Sequence, residues 1–392
     1  MKSHTTLCSL VKPAAPAAFA LMSLLPLAAA HAETNTNTHQ YEVLHSFNGA
    51  DGAQPMDTVA KDQSGNLVGT TNVGGSNNVG TVYKIAPDGT FATLYSFCNC
   101  LDAKWPQATP RLTIDRAGNI YGTSNGGGLF GDNLGTIFKI KPDGTEKVRY
   151  SFSSADGADP VGGVILEKGT HNLYGTTEGS GGTAFKLAPD GTFTTLHVFG
   201  TGSDGGSPSS GLLEDTQRNL YGTTLGGGTS GGGTVYKIAA DGTESVLYSF
   251  TGGSDGALPY STLIADASGN LYGTASAGGT GGGTVFKIAP DGTETTLHTF
   301  TGGQDGYTPY ASLAMDRNGN LYGTTFHGGA NSKGTVFKLT GTGTETILHS
   351  FGSVDNDGAY PYEGVTLVGK YLYGTTGGGG TANDGVVFRL KK

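Results

Sequence analysis

The chain has 392 residues, of which 69 are glycine and 14% are charged, and its formal net charge is −9. An acidic chain without a basic stripe is a poor match for nucleic acid or anionic lipid. The glycines follow no G-X-Y period and alternate with apolar runs, which excludes collagen and plain disorder.

The first residues read as an address. Lys2 and Lys12 supply a positive n-region, "AAPAAFALMSLLPLAAA" an apolar core, and Ala30-His31-Ala32 a small-x-small cleavage site. This predicts a signal peptide over 1–32, a short disordered stretch over 33–40 and a single domain over 41–392. The expected protein is exported to periplasm or medium and inserts in no membrane, because prolines break the apolar run and no later stretch is long enough to span. Cys8 lies too early to be a lipid-attachment cysteine.

From Tyr41 onward the chain repeats. The "YGT" glycine ("VGT" in the first copy) occurs at Gly69, Gly122, Gly175, Gly222, Gly273, Gly323 and Gly374, in steps of 47 to 53 residues. The "GTVFK" glycine and the "L-H/Y-S-F" run also occur seven times each. Each unit reads as four strands: A after a proline ("STLIAD" at Ser261), B "NLYGTT", C "GTVFKI" and D "ETTLHTF" at Glu294. The runs are rich in Val, Thr, Phe and Tyr and bounded by Gly, Asp and Pro, and their tight links carry Asp-Gly or Gly-Asn pairs. No stretch has a helical period. Seven four-stranded units of this length predict an all-β fold, a seven-bladed β-propeller. A β-solenoid is the rival, but Asp-Gly hairpins in most units suit blades better. The ends agree: "YEVLHSF" (Tyr41–Phe47) is a strand D without a unit, and "GVVFRL" is a strand C without a strand D. The N-terminal strand is therefore expected to complete the last blade, which removes the exposed sheet edges of an open array.

The unit "GNLYGTT…GG…GTVFKI…DGT…LHSF…DG…P" resembles the bacterial GloVer-type tandem repeat, whose proteins are grouped as choice-of-anchor because their C-terminal anchors vary. The resemblance covers the chain from about Tyr41. It implies an exported propeller-like protein and supplies no catalytic residues. No sorting signal follows "VVFRLKK", so surface attachment gains no support from it.

Columns filled in every copy are expected to build the fold. The strand C aromatics (Tyr83, Phe138, Phe185, Tyr236, Phe286, Phe337, Phe388) and the strand D phenylalanines should form the core. The Asp four residues before each proline (Asp51, Asp102, Asp156, Asp204, Asp255, Asp305, Asp357) reads as an Asx-turn cap, with a metal ring as the alternative. The His/Tyr column of strand D lies at the rim, where its histidines should not converge, and no HExxH, CxxC, GxSxG or P-loop is present. No metal and no cofactor are assigned.

Residues that break the repeat point to function. The D–A and B–C loops should share one face. The D–A loops of blades 3 and 4 hold no aromatic, whereas blades 5, 6 and 7 supply Tyr260, Tyr307, Tyr310, Tyr360 and Tyr362, and blade 2 supplies Trp105. His327 is the one histidine in a B–C loop. Asp57 and Glu363 occupy matching positions in blades that meet on closure, and Arg111 stands near the same position in blade 2. Cys98 and Cys100 in "FCNCLDAKWP" are expected to form a disulfide in an exported protein, although a one-residue spacer strains it; a metal site or free thiols are the alternatives. The expected function is a monomeric, non-catalytic binding or scaffold propeller that takes an extracellular polysaccharide across blades 5-6-7-1-2. The alternative is a glycan-active lyase or hydrolase with Asp57 and Glu363 as its acid/base pair and Arg111 beside them.

Overall fold

The computed structural model describes residues 40–98, 103–106, 112–128, 133–200 and 202–392. The expected leader over 1–32, like residues 33–39 after it, lies outside them. Blade 5 shows how one unit forms. Its β-branched and aromatic runs make strand A (Ile264–Ala265), B (Leu271–Ala275), C (Thr284–Ile288) and D (Glu294–Thr299), antiparallel and hydrogen-bonded in that order. Gly269 and Gly292 close the A–B and C–D turns at φ of 81° and 85°, a region open to glycine at no steric cost. Strand D carries a β-bulge at Leu297, so His298 pairs with Val285 but Thr296 with Phe286.

The unit recurs seven times, and the described residues form a seven-bladed β-propeller. Blade 2 exceeds four strands, because Ala103–Pro106 in its D–A loop joins the sheet beside Ile120–Gly127. Glycine at 126 permits this: a Cβ there would lie 2.7 Å from the Trp105 ring.

Each blade packs on the next through an aromatic pair that recurs at every junction. Phe47 meets Tyr83, Phe97 meets Phe138, Phe152 meets Phe185, Phe199 meets Tyr236, Phe250 meets Phe286, Phe300 meets Phe337 and Phe351 meets Phe388, with ring centroids 4.7–5.3 Å apart. All these rings are buried. The strand C ring lies across the glycine of "YGT": a Cβ on Gly273 or Gly323 would fall 2.6 Å from the tip of Phe286 or Phe337. Close approach, rather than backbone conformation, requires glycine there. On the face of the A–B turns, Asp266 accepts bonds from the Asn270 N–H (2.9 Å), the Asn270 amide (2.7 Å) and the Tyr272 hydroxyl (3.0 Å), which accounts for the recurring "D-x-x-G-N-L-Y".

The ring closes as the chain ends suggest. Tyr41–Ser46 pairs antiparallel with Val386–Lys391, with Tyr41 opposite Leu390 and Ser46 opposite Val386, and forms strand D of blade 7. Glu42 and Arg389 make an ion pair across this seam, and Tyr41 stacks on His349 of blade 6 at 4.0 Å.

Removing residues 41–47 should open an apolar edge on blade 7, so the shortened chain should aggregate and lose its cooperative transition in calorimetry; a monomer with unchanged Tm would refute that role. Tyr236 offers a converse test, since its buried hydroxyl has no hydrogen-bond partner where five other blades place Phe. Tyr236→Phe should stabilise the protein by about 1 kcal/mol in urea unfolding, the scale of an unsatisfied buried hydroxyl.

Candidate functional site

The D–A and B–C loops stand together on one face because they pair. Ala53 bridges Val73, Ala257 bridges Ala277, Tyr307 bridges His327, and Gly358–Ala359 forms a ribbon with Gly378–Gly379. The residue before each D–A proline has positive φ although none is glycine: Gln54, Trp105, Asp159, Ser207, Leu258, Thr308 and Tyr360, at 51–59°. Such a conformation is strained for a bulky side chain and persists only when its surroundings impose it. Here the surroundings are a backbone hydrogen bond to the preceding blade, such as the Tyr360 N–H to the Lys333 carbonyl (2.8 Å) or the Leu258 N–H to the Gly232 carbonyl (2.9 Å). This position therefore presents seven different side chains outward. Trp105, Leu258 and Tyr360 are 38%, 43% and 39% exposed.

The aromatics of blades 5, 6 and 7 converge. Tyr310 stacks on Tyr362 at 5.4 Å, and Tyr260 meets Tyr310 and Tyr362 edge-on at 5.6 and 6.2 Å. Phe326 touches Tyr310, Tyr360, Tyr362 and His327 at 4.5–5.8 Å, and His327 stacks on Tyr307 at 5.0 Å. Beside this patch, a cavity of about 340 Å³ runs from Tyr360, Tyr362 and Asn383 of blade 7 to Gln54 and Met56 of blade 1. Trp105 packs against Gly126 and makes no ring contact with the patch among the described residues. Arg111 and Cys100 lie outside the described residues; Cys98 is disulfide-bonded.

Asp57 and Glu363 are neighbours, as their positions imply, but both are buried beneath the loops rather than open to a cleft. Asp57 Oδ2 accepts the Thr70 N–H at 2.9 Å and the Thr70 hydroxyl at 3.1 Å, while Oδ1 has no partner. In blades 4 and 5 the hydroxyls of Ser210 and Ser261 accept the matching N–H groups of Thr223 and Thr274, so Asp57, Ser210 and Ser261 each hold strand B from this position, whereas Glu363 faces the Gly364 and Ser312 backbone. Burial pushes the Asp57 carboxyl up to about 7. Burial, with the Asp57 charge adding to it, pushes Glu363 up to about 8.

Glu178 escaped the sequence reading. It sits in the B–C loop of blade 3, half-buried, with its carboxyl raised by burial, and it lies near enough for its charge to act on Tyr260 and Tyr362. The signal was available: the residue after "YGT-T" runs Asn72, Asn125, Glu178, Leu225, Ser276, Phe326 and Gly377, and it varies in every blade but the first two.

No curated protein matches this chain. Among solved structures, the extracellular domain of an assigned one-component system from B. thetaiotaomicron is 11% identical with a TM-score of 0.56, covering 89% of this chain and 39% of that one. An assigned 6-phosphogluconolactonase from Bacteroides uniformis is 16% identical with a TM-score of 0.51, covering 79% of this chain and 88% of that one. An assigned gluconolactonase is 12% identical with a TM-score of 0.45, covering 90% and 92%. At such identities the first two likenesses show the fold alone, and the third carries no argument. The model of the Gloeobacter/Verrucomicrobia repeat matches residues 32–218 and 178–388.

The buried carboxylates set a pH dependence. Asp57 and Glu363 hold protons more tightly folded than unfolded, from ordinary values of 3.8 and 4.5 up to about 7 and about 8. The stability they contribute is thus full below those ordinary values and is lost as pH rises through the folded ones. Between pH 5 and 8.5 the Tm should fall, and an Asp57→Asn/Glu363→Gln double variant should flatten that fall and gain at least about 1 kcal/mol at the alkaline end. A variant profile parallel to that of the wild type would show that these groups are not the cause.

Proposed function

The chain belongs to the Gloeobacter/Verrucomicrobia repeat family, and on that premise we propose that it is an exported, non-catalytic binding propeller that takes a polysaccharide across the loop face of blades 5, 6, 7 and 1. The observation that carries this reading is the single aromatic patch of Tyr260, Tyr307, Tyr310, Phe326, His327, Tyr360 and Tyr362. Tyrosine faces suit the apolar face of a sugar ring and their hydroxyls its polar edge. The cavity from Tyr360 to Met56 continues the path onto blade 1 and gives an extended ligand somewhere to run, with Trp105 on blade 2 beyond it. Export is supported by the N-terminal charge and hydropathy pattern, and no helix among the described residues is long and apolar enough to cross a membrane.

A glycan-active enzyme is the second reading. Glu178 favours it, as a carboxyl raised by burial whose charge acts on Tyr260 and Tyr362. Asp57 and Glu363 would serve such an enzyme only from beneath the loops, since both are buried.

A glycan array with the purified protein tests both. Tyr310→Ala and Tyr362→Ala should each weaken binding about 10-fold or more, roughly 1.4 kcal/mol, while Tm stays within a few degrees. Ligand contacts mapping to blades 3 and 4 would sink the reading. Release of shorter saccharides from a bound glycan, lost in Glu178→Gln, would replace it with the enzymatic one.

A further inference from the structure

The rim between neighbouring blades follows one rule. A His or Tyr just after the strand D bulge faces the Asp of the following D–A loop, and the residue that opens the next blade's strand D closes over them. His45 Nε2 meets Asp51 at 3.1 Å and stacks on Phe91 at 3.6 Å; His349 Nε2 meets Asp357 at 3.1 Å and stacks on Tyr41 at 4.0 Å. The Tyr248 hydroxyl donates to Asp255 at 3.0 Å, and His197 Nε2 meets Asp204 at 3.3 Å.

His298, between blades 5 and 6, breaks the rule. Its Nε2 is buried and has no hydrogen-bond partner. Glu345, the first residue of strand D in blade 6, places Oε2 3.8 Å away, beyond hydrogen-bond reach, and its own Oε1 is also buried without a partner. Asp305 is held in place by its turn, accepting the Thr301 N–H and hydroxyl at 2.7 Å each and the Gly303 N–H at 3.2 Å. One ligand atom from each of the three residues lies within 4.8 Å of the other two, the one such His/carboxylate group among the described residues. The His298 and Glu345 side chains are only 17% and 13% exposed.

We propose that His298, Asp305 and Glu345 bind one divalent transition-metal ion of the zinc class, joining blade 5 to blade 6. One imidazole nitrogen and two carboxylates suit such an ion, whereas calcium and magnesium prefer all-oxygen shells. Bonds of about 2.0–2.2 Å around a tetrahedral ion set donors roughly 3.3–3.5 Å apart, so this triangle has to contract by about an ångström, with a water as fourth ligand. The ion would satisfy the two orphaned atoms at once. It would also remove a like-charge conflict: burial, with the Asp305 charge adding to it, pushes the Glu345 carboxyl up to about 7. The histidine column does not converge, and this site does not need it to, because each ligand comes from a different column. The inference is independent of any glycan.

The test uses tag-free protein stripped with chelator and then titrated with zinc chloride, following bound metal and Tm. Wild type should take up one equivalent and gain about 3 °C or more at saturating zinc. His298→Tyr copies the solution of blades 2 and 4, where Tyr150 and Tyr248 fill the position, so it should fold while losing that equivalent; Glu345→Gln should weaken binding at least about 10-fold. His197→Tyr, at the rim between blades 3 and 4, should bind like wild type. The proposal is overturned if zinc leaves the wild-type Tm unmoved, if His298→Tyr keeps its equivalent, or if calcium stabilises the protein and zinc does not.

Discussion

The phenylalanine at the end of each strand D reaches into the next blade, onto a strand C ring 4.7–5.3 Å away. No blade can bury its own apolar face, so each is stable only through its neighbours, and the seventh needs the first. Much else follows from that contact. The ring crossing strand B leaves no room for a Cβ, which fixes the glycine of "YGT". The need for a seventh blade with no free edge explains why Tyr41–Ser46 is carried from one chain end to the other. The strand D bulge, present at the same place in the closing pair as in the rest, sets the following His or Tyr toward the rim.

The same constraint divides the molecule into a part that must repeat and a part that is free to differ. Between the blades, a changed ring would unseat two units at once. On the loop face, the pre-proline residue is locked by its backbone N–H while its side chain stays outside, so Trp105, Leu258, Thr308 and Tyr360 are equivalent to the fold and different to a ligand. Strain of about 1–3 kcal/mol per residue at such positions is tolerable because the packed ring beneath imposes it. Diversity costs the scaffold little there, which is where the aromatic patch has collected.

The period, the strand order and the closing strand were legible because each rests on a local signal repeated seven times or on an end that lacks its partner. The convergence of Tyr260, Tyr310 and Tyr362 was legible as an asymmetry between blades. What the sequence concealed was depth. Asp57 and Glu363 break their column as visibly as the tyrosines do, yet both point inward: Asp57 holds strand B through Thr70, as Ser210 and Ser261 do in blades 4 and 5, and Glu363 faces the Gly364 and Ser312 backbone. Reading them as a pair facing a cleft mistook a difference in identity for a difference in exposure. Glu178 is concealed for the opposite reason: it stands in a blade whose D–A loop holds no aromatic, and only the closed ring brings its charge to Tyr260 and Tyr362. The fifth strand of blade 2 rests on Gly126, one glycine among 69, and nothing local marks it.

Buried polar atoms without partners give a finer map of the same division. In a repeat, a column usually solves its hydrogen bonds once and copies the answer, so each orphan is read against its column: Tyr83 and Tyr236 share one, and Glu244 and Glu345 share another. The Tyr236 hydroxyl, like that of Tyr83, adds a single oxygen to a column otherwise of Phe, and what surrounds it is core packing; it carries a cost and no chemistry. Asp57 Oδ1 and Glu363 Oε2 depart in adjacent blades and near one another, so their cost is coupled and takes the form of retained protons. His298 Nε2 lacks the Asp bond that His45, His197 and His349 make, Glu345 Oε1 is orphaned as Glu244 Oε1 is in the same column, and a fixed Asp305 stands alongside; the side chains involved are those that bind metal. The three cases differ in what stands next to the orphan, and that neighbour decides whether a broken column is an expense, a proton store or a site.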